Sequence, residues 1–108
     1  MFEQKPPIRS TQEDVAELAE ALDRFVIGLA ERIDAIQDAE LAANRDGVAE
    51  LARTLAHDAE RLGYPGMAQC AKGVAFAAED DKAEAMREAV FDLTELAQRI
   101  RRGHKGAA

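Results

Sequence analysis

Residues 52 to 65 read Ala-Arg-Thr-Leu-Ala-His-Asp-Ala-Glu-Arg-Leu-Gly-Tyr-Pro. Leu55, Ala59 and Leu62 recur at steps of four and three, and Val48 and Leu51 continue the same apolar stripe upstream. The spacing predicts a helix over about residues 47–62 with that stripe turned to a core. Gly63 is placed to end it as a glycine able to take positive φ, and Pro65 to open the next helix in its first turn. Arg53 and His57 each lie two residues from Leu55, about 200° around the axis at ~100° per residue, so they point away from the core. Being four apart, they stand one turn, roughly 6 Å, from each other on one exposed face. Glu50 and Glu60 flank them.

Upstream, residues 1–10 read as an extended lead-in, because Pro6 and Pro7 lack amide donors and restrict the residues before them. Ser10 or Thr11 can cap a helix, with Glu13 or Asp14 three residues on completing a capping box. Val15, Leu18, Leu22, Phe25, Val26, Leu29, Ile33 and Ile36 then form one long stripe to about Ala43, with a slight bend expected at Gly28. Asn44-Arg45-Asp46-Gly47 reads as a turn, Asp46 capping the helix that follows.

Downstream, a helix over about 65–78 turns Met67, Cys70, Ala71, Val74 and Ala77 or Ala78 inward. The acidic turn Glu79-Asp80-Asp81 suits the start of a last helix, about 82–102, with Met86, Val90, Leu93, Ala97 and Ile100 as its inward stripe. Gly103 is expected to end it, and residues 104–108 to fray. Phe76, beside Gly73, and Phe91 fall off these stripes, either as boundary packing or as an apolar contact patch. Four amphipathic helices with short connections predict an all-α fold, an antiparallel up-down-up-down four-helix bundle over residues 11–103.

Composition supports this. The 108-residue chain has room for one small core, carries no Trp and one Tyr, and is rich in Ala, Leu and Glu, which favours helix over sheet. A formal net charge of -7 argues against nucleic acid or an anionic membrane as partner. The basic cluster of Arg99, Arg101, Arg102 and Lys105 reads as cations at a helix C-terminus. The single Cys70, the lack of an apolar leader and the lack of any apolar run of ~18 residues lead to the expectation of a soluble cytoplasmic protein.

The stretch from Ala52 to Pro65 resembles the active helix of the histidine-containing phosphotransfer (HPt) family, which reads Ala-His-x-Leu-Lys-Gly-x-Ala and then Leu-Gly or Tyr-Gly. Ala52, Thr54, Leu55, Ala59, Leu62, Gly63, Tyr64 and Pro65 fall on the scaffold positions. Arg53 stands where the phospho-acceptor histidine would be, Ala56 replaces the family's lysine and His57 its glycine. The Pro7-Ile8-Arg9-Ser10 lead-in, Phe25-Val26 with Arg32 and Ile36, and the Gly63-Tyr64-Pro65 turn extend the resemblance over most of the chain. It implies a four-helix bundle in two-component signalling, with a response-regulator receiver domain or a sensor kinase as partner.

A neutral imidazole can accept a phosphoryl group from an aspartyl phosphate, whereas a guanidinium is always protonated and cannot. In this register, transfer at position 53 is excluded. Three readings of the face remain. Arg53 and His57 are solvated surface side chains paired with Glu50, Asp58 or Glu60; or the face docks a receiver domain without taking its phosphate, through Arg53, His57, Ala56, Glu60 and Tyr64; or His57 is a displaced acceptor. His104, in the tail, reads as incidental. The alternative from a different class is a helical interaction module that forms a homodimer through Phe76, Gly73 and Phe91. Metal chemistry is not expected, since one Cys and two His give no zinc spacing and His57-x-x-Glu60 faces outward. No cofactor and no enzymatic activity of its own are expected.

Overall fold

Gly28 divides the long N-terminal stripe into two helices. The computed structural model describes residues 5–104, and every regular element among them is helical: a 3-10 turn at Ala16–Leu18, then α1 (Ala19–Ile27), α2 (Leu29–Leu41), α3 (Arg45–Arg61), α4 (Pro65–Glu79) and α5 (Ala83–Gly103). Residues 1–4 of the lead-in and residues 105–108, including Lys105, lie outside the described residues.

The first helix begins later than its capping pattern predicts. Ser10 is buried and donates its hydroxyl to the Leu62 carbonyl, while the Gln12 amide donates to the Ser10 oxygen at 2.9 Å. Thr11 donates its amide to the Gly63 carbonyl at 2.9 Å, and Glu13 is taken by an ion pair with Arg9. The residues expected to start a helix instead tie the lead-in to the turn between α3 and α4. The lead-in is also fastened to the end of α5. Ile8 donates its amide to the Arg99 carbonyl, the Arg99 guanidinium donates to the Pro6 carbonyl, and the Arg102 guanidinium donates to the Lys5 carbonyl. Two cations of the basic cluster therefore bind backbone from the other end of the chain.

Three helix ends share one geometry. After α3, Gly63 takes φ +85°, its amide donates to Glu60, and the Tyr64 amide reaches back to the Ala59 carbonyl at 2.8 Å. This is a Schellman motif, which satisfies carbonyls the helix leaves unpaired. The same bonds run from Ala43 and Asn44 back to Glu40 and Ala39 after α2, and from Asp81 and Lys82 back to Ala78 and Ala77 after α4. Ala43 (φ 57°) and Asp81 (φ 56°) occupy the left-handed position there without being glycine. The stop after α2 therefore falls at Ala43, and Asn44, rather than Asp46, caps α3 by accepting from the Gly47 amide at 3.0 Å. Gly103 is the last residue of α5 rather than a residue beyond it, and it is needed for closeness: a Cβ there would overlap the Ile8 carbonyl.

α3 packs on α4, α4 on α5, and α2 on both α3 and α5, so that α2 to α5 enclose a common core, with α1 against α2 and α5. Leu22, Phe25, Val26, Leu29, Ile33 and Ile36 are buried as the stripe predicts, as are the stripes of α4 and α5 apart from Cys70, which is half-buried. Leu51 departs from expectation at 38% exposed. Because α3 is flanked by both α2 and α4, its buried arc is broader and is filled by Ala49, Ala52, Ala56 and Ala59 beside Val48 and Leu55. Small residues there let α3 and α4 approach closely. No described helix is long and apolar enough to cross a membrane.

Candidate functional site on the α3 and α4 faces

Arg53 and His57 are both exposed on α3, with Ala52, Leu55 and Ala56 buried behind them. Helix periodicity explains this arrangement, since residues four apart share a face. The cation at Arg53 is engaged by Glu79 at the end of α4, in an ion pair exposed on both sides. Two turns further along α3, Glu60 pairs with Lys72 of α4 at 3.6 Å. As positions advance by seven along α3, their partners recede by seven along α4, so the two helices run antiparallel here. Arg53, His57 and Glu60, at steps of four and three, form a row on α3; Glu79, Phe76 and Lys72 form the facing row on α4. The register sets His57 within one residue of the level of Phe76, which is 68% exposed. Gly73 is exposed, with nothing within 4 Å of where a Cβ would stand.

Two of the residues expected at a partner contact are not available for one. Ala56 is 3% exposed, because its position on α3 turns toward the packed helices. Tyr64 is 1% exposed, its ring stacked on Phe25 at 5.7 Å between centroids with an interplanar angle of 18°. Burial, and secondarily the charge of Glu13, holds the Tyr64 phenol above its ordinary pKa. Tyr64 therefore fixes the α3–α4 turn against α1 from within. Arg53, His57 and Glu60 remain on the surface, joined by Phe76 and Gly73. Phe91 is 69% exposed, on α5.

Glu79 and Lys72, which complete the face, carry no mark in the linear pattern of their own helix. Only the pairing of α3 with α4 brings them beside Arg53 and Glu60. On the other side of α3, Asp58 is bridged to Arg32 of α2 at 2.9 Å and to Arg61 at 3.6 Å, which removes its carboxylate from the neighbourhood of His57. A shallow cavity of about 350 Å³ between α2 and α3 is lined by Glu31, Arg32, Ala35, Glu50, Leu51 and Thr54.

His104 is not part of a loose tail. Its Nε2 lies 2.7 Å from the Asp23 carboxylate of α1, on the wall of a cavity of about 380 Å³ that also includes Arg9, Glu13 and Tyr64. The thiol of Cys70 is held up to about pH 11 by burial and by the charge of Asp92, and it lies 3.5 Å from the Ala89 carbonyl. A thiol so protonated is a poor nucleophile. Among the described residues, no group of three or more His, Cys, Asp or Glu is placed to hold a metal ion. No protein-family model, curated protein or solved structure matches the chain.

Proposed function

We propose that the chain is an HPt-like signalling module that docks response-regulator receiver domains through the exposed row of α3 without accepting their phosphoryl group. In this reading α2 to α5 are the antiparallel up-down-up-down bundle of that family, a reading supported by the inverse register of the ion pairs between α3 and α4. The observation that carries it is the exposure of Arg53 and His57 on one face of a helix whose alanine and leucine scaffold positions, Ala52, Leu55, Ala59 and Leu62, are buried. A receiver domain would present carboxylates clustered around its aspartate. Arg53 would offer them a planar, always-charged donor, giving charge-assisted hydrogen bonds without a nucleophile. Its pair with Glu79 is no obstacle, since ion pairs exposed on both sides contribute only ~0.2–1 kcal/mol and exchange partners readily.

The test is titration of the chain against a panel of isolated receiver domains by calorimetry. Binding by at least one receiver is expected, with Arg53→Ala weakening it by about 1 kcal/mol, roughly fivefold. Treatment with a small phosphoramidate is expected to leave the intact mass unchanged; a stable adduct mapped to His57 would replace silent docking with phosphotransfer one turn along the helix. Equal affinity in the Arg53→Ala chain, or no binding to any receiver, would remove the proposal.

A further inference from the structure

The four charges around His57 and Phe76 alternate in sign. Arg53 and Glu79 face each other at one end of the paired rows and Glu60 and Lys72 at the other, about 10 Å away at 1.5 Å rise per residue. The two cations therefore occupy one diagonal of the face and the two carboxylates the other. We infer that this face docks a second copy of the same chain. A copy turned over onto it about a twofold axis lying in the face, whether along the rows or across them, exchanges neighbouring corners rather than diagonal ones. Each cation then meets a carboxylate at all four corners. Such self-complementarity is what an isologous dimer requires. A partner of a single sign would meet two like charges whichever way it approached, so the alternation favours a partner carrying the same alternation.

On the α4 side of this rectangle, between Glu79 and Lys72, stands Phe76, 68% exposed, with Gly73 one turn away leaving the backbone bare. An apolar anchor flanked by charged residues is the ordinary anatomy of a protein interface. The aromatic ring supplies the affinity and the rim charges fix the orientation, since exposed ion pairs add little binding energy. With one aromatic anchor per copy, the dimer is a transient one. Self-association through this face does not depend on receiver docking.

Sedimentation equilibrium of the full chain, from micromolar to millimolar concentration, tests it. A reversible monomer–dimer equilibrium is expected, weakened roughly tenfold or more by Phe76→Ala and by Lys72→Glu, each with unchanged helical circular dichroism. Lys72→Glu places a carboxylate against a carboxylate about either axis. A chain with all four charges exchanged, R53E/E60K/K72E/E79R, keeps its internal pairs and is expected to dimerise with itself but not with the original chain, since every contact in the mixed pair becomes like-charged. A monomer at millimolar concentration overturns the inference. So does a dimer indifferent to both single substitutions, or one that forms equally well between the original and charge-exchanged chains.

Discussion

Gly63 is constrained both by its backbone angle and by what lies against it. Its φ of +85° lies where a side chain costs about 1–2 kcal/mol, and a Cβ built there would stand 2.6 Å from the Ser10 hydroxyl and 2.8 Å from the Gln12 amide. Gly63→Ala must therefore strain the turn and push the lead-in from its bonds to Leu62 and Gly63. A loss of about 2 kcal/mol or more is expected in urea unfolding. Cys70 gives a second prediction at this scale. With its thiol held up to about 11, at pH 8 it should react with a thiol reagent far more slowly in the folded chain than in urea. The linkage has a definite sign. Between about 9, the ordinary value, and 11, the unfolded chain releases the thiol proton and the folded chain retains it, so stability falls as pH rises through that window. Tyr64, raised above 10 chiefly by its own burial, acts in the same direction at higher pH. A Cys70→Ala chain whose alkaline loss of stability was as steep as that of the original would contradict this.

At the scale of the element, the three Schellman ends give α2, α3 and α4 the same means of stopping, but only one has the residue suited to it. Ala43 holds φ 57° with a Cβ, and Ala43→Gly should relieve that strain. Part of the gain is offset by the greater freedom glycine gives the unfolded chain, which leaves a net stabilisation of roughly 0.5 kcal/mol, measurable as a raised urea midpoint at constant slope. These ends also show what the sequence could tell. The apolar stripes of all the helices were legible because periodicity is a local property, and Gly63 was legible because glycine is the usual residue at that position. The end near Ala43 was legible too, but its left-handed conformation was not, because alanine carries no signal for it, and Asp46 rather than Asn44 looked like the next cap. Leu51 and Ala56 were misplaced because the width of a buried arc depends on how many neighbours a helix has. Tyr64 looked like a surface turn residue until α1, nearly forty positions earlier in the chain, brought Phe25 against it. The outward row of Arg53 and His57 could be read from one helix, but its counterpart on α4 could not, since Glu79 and Lys72 join it only through interhelical register.

For the molecule as a whole, the local attraction of the α3 and α4 face opposes the net charge. Each copy carries a formal -7, so two copies repel at long range while the corner charges of the proposed dimer attract at contact. Salt separates these effects. The Debye length is about 30 Å at 0.01 M and ~8 Å at 0.15 M, so added salt removes most of the repulsion between whole molecules and less of the attraction between groups in contact. Self-association should therefore strengthen on going from about 0.01 M to 0.15 M salt, opposite to the behaviour of an interface held mainly by attraction between oppositely charged molecules. Receiver docking through Arg53 would use the same face, so the two assemblies cannot form on one chain at once. Adding a receiver that binds should convert dimer to a one-to-one complex in sedimentation, with an apparent receiver affinity that falls as the concentration of this chain rises. In Lys72→Glu, which weakens dimerisation roughly tenfold or more while leaving Arg53 in place, that dependence should move to correspondingly higher chain concentration. An original chain that dimerised yet showed no such dependence would place the receiver and the second copy on different surfaces.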